Sequence, residues 1–270
     1  MNAISKFLLL LCFFYTSQLV AATATVSITD FQFTPTIVTI NIGDTVKWTN
    51  NGGAPHTTTS TAAGEAWDKT LFSGNVFSRV FTKEGSYTYR CNFHPSMTAK
   101  VVVRSVEQTR INTGKILIPT VVPITLNLVG KNANLAYLGS YIVNAQAGCA
   151  NCHSCPTYKL GNNPYLGQPK KFNPASYLAG GVNVSGGGVT AVSANLTPDA
   201  TGKPAGLTLL AFKNLLRTGK DPDVPAALLP VMPWPIYGAM SDHDLDAIYE
   251  YLRAIPKATT PAVHCAQPGQ

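Results

Sequence analysis

The N-terminal third of the chain alternates apolar and polar positions with a period of two. Turn sequences such as Gly43-Asp44 separate the alternating runs. This pattern predicts antiparallel strands that bury one face. The positions that carry it are Val26, Ile28, Val38, Ile40, Ile42, Val46, Trp48, Tyr87, Tyr89, Cys91, Val101 and Val103. About eighty residues of this kind suit a small β-sandwich.

Between residues 132 and 254 the apolar positions change to the period of a helix. Three segments place apolar side chains three, four or seven positions apart, which predicts three amphipathic helices. The three stripes are Leu135, Leu138 and Ile142; Leu209, Phe212 and Leu216; and Leu245, Ile248, Tyr249 and Leu252. Thr208 is the predicted N-cap of the second helix, and Gly219 lies just past its end. Because loops rich in Gly, Pro and Asn connect the helices, notably 156–188, we expect an all-α second domain.

The first residues have the pattern of a secretory signal. A basic start, an apolar run over Phe7–Tyr15 and the small residues Val20-Ala21-Ala22 indicate a cleaved signal peptide. The run is too short to span a bilayer, and no stop-transfer pattern follows that would support an uncleaved anchor. We therefore expect a periplasmic protein that does not span the membrane after signal removal. Cys12 lies inside the signal and is given no role.

The segment between the two patterns reads as a connector. Pro119 and Pro123 interrupt its apolar residues, so we expect an extended and fairly stiff linker that packs on one domain. The predicted boundaries are then a signal peptide at 1–22, a β-domain at 23–104, a linker at 105–131 and a helical domain at 132–270.

Composition narrows the possible partners. Apolar residues make up 45% of the 270 residues and charged residues 12%, so both domains can bury a core. The net charge of +7 can steer the protein to an acidic patch on a partner. We expect no nucleic-acid binding, because the sequence has no basic stripe and no recognition motif. Outside the signal, five cysteines remain, and an oxidising compartment should use each as a ligand, thioether or disulfide.

Cys149-Ala150-Asn151-Cys152-His153 is the C-x-x-C-H pattern of c-type haem attachment. Two thiols one helical turn apart can reach both vinyl groups of a porphyrin, and the next histidine can ligate the iron. A thioredoxin-type redox pair would need a βαβ context, and a zinc site would need a second pair of ligands at zinc spacing. The sequence has neither, so it predicts one covalently bound haem c.

Two methionines follow the haem motif and could supply the sixth iron ligand. Met232 lies in a rigid loop between prolines, which can present a thioether to an iron. Ser241 is the predicted N-cap of the third helix, and Met240 directly before it is expected to pack on Leu245 as a hydrophobic staple. We therefore predict Met232 as the ligand. His243 and His264 are expected to be solvated.

Residues 135–255 resemble a class I cytochrome c domain, most closely the mono-haem domains found with membrane-bound alcohol and sugar-acid dehydrogenases. The matching segments are Tyr137–His153, Asn195–Asp199, Leu215–Gly219, Met232-Pro233, Ser241–Leu245 and Tyr251-Leu252. In that family the proline-flanked methionine is the distal ligand, so the resemblance also implies Met232. The first and last helices cross in such domains, and Cys155 and Cys265 follow those helices. The resemblance thus makes a Cys155–Cys265 disulfide possible; the alternative is two free thiols, which suits an oxidising compartment less well.

The β-domain contains a candidate copper site. Cys91, His94 and Met97 lie in one short loop after a tyrosine-rich strand, and His56 offers a second imidazole. Two imidazoles, one thiolate and a weak axial thioether form the ligand set of blue copper. Taken singly, His56 could be an ordinary loop histidine and Met97 a core residue. As a set of four in a β-domain they predict one type 1 copper.

Residues 25–103 resemble the plastocyanin–amicyanin–pseudoazurin family of cupredoxins, whose fold is a Greek-key β-sandwich. The spacing from Cys91 to Met97 is the short one of amicyanins, and Phe81–Tyr87 and Met97–Val103 also match. Several family members have asparagine after the first histidine ligand, where this chain has Thr57. We therefore expect the hydrogen bonding around the thiolate sulfur to differ.

Both ligand sets are closed, so the sequence predicts an electron carrier rather than an enzyme. Electrons would pass between copper and haem and then to redox partners such as a dehydrogenase, a reductase or a terminal oxidase. Copper nitrite reductase is excluded, because that enzyme needs a second cupredoxin domain and a histidine beside the copper cysteine, where this chain has Arg90 and Asn92. Three alternatives remain: an electron-accepting cytochrome subunit bound to a membrane dehydrogenase, a redox or copper sensor, and a haem peroxidase or ligand sensor.

Overall fold

The computed structural model describes residues 21–62, 65–186, 188–222 and 228–268. These residues belong to two compact units that divide between Ser105 and Val106. Each unit has its own buried apolar core. The predicted signal peptide, apart from Ala21 and Ala22, lies outside the described residues, and so does Cys12.

The described residues of the first unit form nine strands. They are β1 (Thr23–Thr29), β2 (Gln32–Thr34), β3 (Ile37–Asn41), β4 (Thr45–Asn50), β5 (His56–Ser60), β6 (Trp67–Leu71), β7 (Val76–Val80), β8 (Gly85–Arg90) and β9 (Thr98–Arg104). β2-β1-β4-β7 form one sheet and β3-β9-β8-β5-β6 the other. The predicted β-sandwich is confirmed. The purely antiparallel pairing is wrong, since β1–β4 and β3–β9 are parallel. In each pair the chain changes sheets between the two strands, so no hairpin joins them.

The core of the first unit follows the period-two pattern. Val26, Ile28 and Trp48 are buried on one sheet, and Tyr89 and Val101 are buried on the other. The Trp48 ring stacks on its own sheet against Phe77 and meets Tyr89 edge-on across the core. Large aromatic rings therefore hold the two sheets together.

The second unit is mainly helical. Its helices are α1 (Val106–Thr120), α2 (Ala133–Tyr141), α3 (Cys149–His153), α4 (Leu209–Thr218), α5 (Trp234–Tyr237) and α6 (Asp242–Ala254), with a π-helical turn at Ile142–Gln146 and a 3-10 turn at Pro164–Leu166. The expected caps are confirmed: Thr208 and Ser241 cap α4 and α6, and Gly219 ends α4 with a φ of 70°. Within the described ranges, every helix is too short or too polar to cross a bilayer.

The second unit is not all-α as expected. A small sheet contains β10 (Val182–Gly186), β11 (Val189–Val192) and β12 (Cys265–Ala266), in the order β11-β10-β12. β10 buries Val182 and Val184 and exposes Asn183 and Ser185, so it follows strand periodicity inside a segment whose composition predicts a loop.

The extended linker predicted for 105–131 is wrong over its first half. Residues 106–120 form α1, which packs on α2 as part of the second unit. Pro119 lies in the last turn of α1, and Pro123 follows the helix, so neither proline interrupts its middle. At Gly114 a side chain would overlap the carbonyl oxygen of Tyr137, so glycine permits the close approach of α1 and α2.

Candidate metal sites

Three of the predicted copper ligands lie close together in the first unit. His56 is the first residue of β5, Cys91 directly follows β8, and His94 lies in the loop before β9. The Cys91 Sγ atom is 3.8 Å from His56 Nδ1 and 3.6 Å from His94 Nδ1, and the two Nδ1 atoms are 3.2 Å apart. Among the described residues this is the one group of three or more His, Cys, Asp or Glu side chains with metal-site spacing.

These distances fit a trigonal metal. With bonds of about 2.0 Å to nitrogen and about 2.3 Å to a thiolate, ideal trigonal donors lie about 3.5 Å (N to N) and about 3.7 Å (N to S) apart. The observed separations differ from these by 0.3 Å or less. His56 and Cys91 are fully buried and His94 is half-buried, so the donors form a site shielded from water. One sulfur and two imidazoles suit copper.

The loop that carries Cys91 and His94 is closed by backbone hydrogen bonds. The Cys91 N–H donates to the Met97 carbonyl at 3.1 Å, and the Met97 N–H donates to the His94 carbonyl at 2.9 Å. The Met97 side chain is buried in the core of the first unit. The loop therefore holds all three predicted ligands close together, while His56 comes from the neighbouring strand.

Two neighbours contact the donor side chains directly. The Thr57 N–H donates to Cys91 Sγ at 3.3 Å, and the Asp30 carboxylate lies 3.5 Å from His56 Nε2. The hydrogen bond from the Ala54 N–H lowers the pKa of Asp30, and His56 adds to the same shift. An ionised Asp30 favours a proton on Nε2 of His56, which leaves Nδ1 as the lone-pair donor.

The predicted haem residues form the short helix α3. Gly148 precedes it with a φ of 64°, and the Cys149 and Cys152 thiols lie one turn apart on it. The His153 Nδ1 atom lies 2.8 Å from the Ala194 carbonyl, to which it donates as Nδ1–H. Burial lowers the pKa of His153, while this hydrogen bond raises it. A neutral imidazole fixed at Nδ1 presents Nε2 as a metal ligand.

The two thiols of α3 are not bonded to each other. Burial raises the pKa of Cys149 to about 12 and raises the pKa of Cys152 as well. Thiols of this kind are poor thiolates, so they do not suit a disulfide-exchange pair. Two free thiols with a histidine directly after them are the residues that a c-type haem would use.

Both candidate methionines contact the core of the second unit. Met232 and Met240 are half-buried and pack on the same apolar cluster as Cys149. The choice of Met232 therefore rests on the sequence. Of the remaining histidines, His243 lies half-exposed 3.3 Å from Glu107, and His264 is exposed.

Cys155 and Cys265 are joined in a disulfide. Their Cα atoms are 5.5 Å apart, and they are separated by 110 positions in the sequence. Residue 265 begins β12 and is paired with Val182 on β10, so the small sheet brings it to Cys155. The bridge ties the segment after α6 to the segment after α3.

Known proteins resemble parts of the chain. The family model for copper binding proteins of the plastocyanin/azurin family matches residues 20–104. Amicyanin-alpha from Methylorubrum extorquens is 34% identical over 88 residues, which is 31% of this chain and 73% of that protein. The chain belongs to the plastocyanin/azurin family of copper-binding proteins. Members of this family are electron carriers and not enzymes.

Further relatives extend the comparison. Amicyanin from Paracoccus denitrificans is 40% identical over 68 residues, 24% of this chain and 52% of that protein. The structure of a purple cupredoxin from Nitrosopumilus maritimus is 30% identical and covers 30% of this chain and 98% of its own, with a TM-score of 0.28. The fructose dehydrogenase cytochrome subunit of Gluconobacter japonicus is 33% identical over 114 residues, 42% of this chain and 20% of that protein. The chain thus spans about half of the first relative and a fifth of the last.

Several residues at this cupredoxin site and in α3 had no sequence signal. Asp30 lies beside His56, and Thr59 and Asp68 are linked to Thr57 through hydrogen bonds. The Ala194 carbonyl accepts a hydrogen bond from His153, 41 positions away. Only Thr57 could be singled out from the sequence, because it stands where relatives of the resembled family have asparagine.

Proposed function

We propose that the protein is an exported carrier of single electrons with two redox centres. A type 1 copper is held by His56, Cys91, His94 and Met97. The observation that carries this proposal is the convergence of one thiolate sulfur and two imidazole nitrogens at trigonal metal distances. Because four protein ligands leave no position for a substrate, the copper accepts and releases electrons and does no other chemistry.

The second centre in this proposal is a haem c attached at Cys149 and Cys152 and ligated by His153 and Met232. Support comes from the two unbonded thiols on α3, from the hydrogen bond that fixes His153, and from the likeness to a dehydrogenase cytochrome subunit. When bound, the haem supplies a second one-electron couple. The polypeptide keeps His153 neutral and oriented, and the Cys155–Cys265 bridge holds the segments after α3 and α6 together.

Surface features suggest how electrons reach the copper. The His94 imidazole is half-buried, the exposed Phe31 ring meets it edge-on at 5.0 Å, and Phe93 beside it is also exposed. A partner that docks here contacts a copper ligand directly. Periplasmic redox proteins such as a dehydrogenase, a reductase or a terminal oxidase are the expected partners, and the positive net charge favours an acidic docking patch on them.

Optical redox titration of the full mature chain tests this proposal. After expression with haem attachment and reconstitution with copper, we expect a thiolate-to-copper blue band and a low-spin haem c spectrum, each titrating with one electron. Absence of the blue band after reconstitution would contradict the copper assignment. Haem staining after denaturing electrophoresis detects covalently attached haem. An unstained protein band would contradict the cytochrome assignment.

Paired methionine variants test the distal iron ligand. Because Met232 is predicted to ligate the iron, Met232→Ala should abolish the methionine–iron charge-transfer band and lower the haem potential. Met240→Ala, on the same apolar cluster, should keep the band. If Met240→Ala loses the band and Met232→Ala keeps it, Met240 is the iron ligand and not Met232.

A subunit role is the second candidate. It is favoured by the 114-residue match to the fructose dehydrogenase cytochrome subunit. If the protein is such a subunit, it should co-purify from its native membranes with a large flavin or quinone enzyme and be reduced when that enzyme receives substrate. Isolation as a free monomer that several soluble donors reduce equally well would favour the mobile carrier.

A further inference from the structure

Thr57 contacts the copper cysteine at two points. Its backbone N–H donates to Cys91 Sγ at 3.3 Å, and its hydroxyl oxygen accepts the N–H of Asn92 at 2.8 Å. Thr57 is 3% exposed, so water does not compete for either bond. One residue therefore fixes both the sulfur of Cys91 and the peptide that follows it.

Two further side chains connect Thr57 to the surface. The Thr57 and Thr59 hydroxyl oxygens are 2.9 Å apart, and the Thr59 hydroxyl donates to Asp68 Oδ1 at 2.6 Å. Thr57 and Thr59 lie on one face of β5, and Asp68 on β6 is directly opposite Thr59 in the strand register. The exposed carboxylate of Asp68 thus ends a continuous hydrogen-bonded chain that begins at Asn92.

The donors and acceptors of this hydrogen-bonded chain can be arranged in only one order. An ionised carboxylate only accepts hydrogen bonds, and a hydroxyl has a single proton to donate. Thr59 gives its proton to Asp68, so Thr57 must give its own to Thr59 and accept from Asn92. All the dipoles therefore point towards the negative charge, and hydrogen bonds aligned in this way strengthen one another.

We propose that Thr57, Thr59 and Asp68 form a relay that positions Cys91 and carries the influence of the Asp68 charge to the copper, lowering its reduction potential. A negative charge stabilises the more positive oxidised copper, and the relay transmits it as polarisation along the chain rather than through solvent. An asparagine at position 57 would supply a donor and an acceptor by itself. Threonine directs its only hydroxyl proton to Thr59 and so couples the site to Asp68. The inference rests on the proposed copper site.

A double-mutant cycle on the copper-reconstituted full chain tests the relay. Asp68→Asn keeps an oxygen that accepts from Thr59 but removes the charge. Thr59→Val breaks the chain and leaves the charge in place. We expect Asp68→Asn to raise the copper potential, seen as a several-fold higher Cu(I) to Cu(II) ratio at fixed solution potential. In the Thr59→Val background the same change should be less than half as large.

Two results would overturn the relay. Equal shifts in both backgrounds mean that the charge acts through space, and no shift in either means that Asp68 does not act on the copper. Thr59→Ala replaces Thr59→Val if the latter does not fold. A wild-type chain without a blue band would instead contradict the copper site itself, so the two failures are distinguishable.

The contribution of the Thr57 hydroxyl is tested by a separate measurement. Thr57→Val removes its hydroxyl and leaves the Asn92 N–H unpaired, so we expect copper loss to a chelator to be about 10-fold faster and the blue band to shift. Thr57→Ser restores the hydroxyl and should restore both properties. A Thr57→Ser variant that behaves like Thr57→Val would show that the methyl group matters and not the hydrogen bond.

Discussion

His94 is the most exposed of the proposed copper ligands. It is half-buried and lies 3.6 Å from the Cys91 sulfur, whereas His56 is fully buried. His94→Ala should therefore abolish the blue band without unfolding the sandwich, because its removal opens no deep cavity. His264→Ala, at an exposed histidine in the second unit, is the control and should leave the copper spectrum unchanged. A normal blue band in His94→Ala would contradict the ligand set.

Glu65 makes the first unit sensitive to acid. It is 4% exposed and accepts hydrogen bonds from Arg79 at 2.9 Å and Thr82 at 3.2 Å. Burial raises the pKa of Glu65, but these bonds outweigh it and hold the pKa below its ordinary value of 4.5. A lowered folded-state pKa stabilises the fold above pH 4.5, and that contribution is lost as the pH falls through the lower folded value.

We therefore expect the free energy of unfolding of the first unit, followed by the fluorescence of Trp48 and Trp67, to fall below about pH 4.5. Glu65→Gln should be less stable at neutral pH, since it leaves Arg79 without its charge partner, and its stability should depend less on pH. Glu84→Gln, at an exposed carboxylate, should retain the wild-type profile. An unchanged acid profile in Glu65→Gln would contradict the role of this ion pair.

The sequence predicts the candidate metal ligands but not the residues that hold these ligands in position. Cys91, His94 and Met97 lie within seven positions, and the haem motif lies within five, so local spacing was enough to pick them out. The contacts of Thr59 with Asp68 and of His153 with Ala194 depend on strand register and on loop packing between distant positions. No local pattern carries that information.

At the level of elements, α1 is a helix that the apolar periodicity of the sequence does not predict. Its residues have no clear apolar stripe, and proline near the end suggested an extended chain. Packing against α2 through Gly114 instead stabilises a helix with modest intrinsic preference. In contrast, α4 and α6 combine a stripe with a cap, and both were predictable from sequence.

Gly114→Ala distinguishes a packed helix from a linker. A methyl group there would overlap the Tyr137 carbonyl, so we expect a loss of about 1–3 kcal/mol in the stability of the second unit. Ile116→Ala, on the exposed side of the same helix, should change stability by about 0.5 kcal/mol or less. Chemical denaturation followed by the haem spectrum measures both. A neutral Gly114→Ala would contradict the packing of α1.

At the scale of the whole molecule, the two units have separate cores and should respond separately to damage. The Cys155–Cys265 bridge closes a loop of 110 residues within the second unit. Replacing both cysteines with alanine should lower the stability of that unit by about 2–5 kcal/mol, because the unfolded chain regains conformational freedom. The first unit should keep its unfolding midpoint. A matching loss in both units would contradict their independence.

That bridge also sets a problem for maturation. Cys152 and Cys155 are three positions apart, and Cys155 is oxidised while Cys152 is a free thiol. Under the proposed haem attachment, Cys152 must stay reduced until it reacts with haem. Any oxidant that reaches this segment can pair the wrong sulfurs, because a thiol near in sequence is a faster partner than one 110 positions away. Faithful assembly thus requires that the segment carrying Cys265 meets Cys155 early, or that the haem thiols are protected meanwhile. The order of two covalent reactions, rather than folding alone, then decides how much of the protein becomes functional.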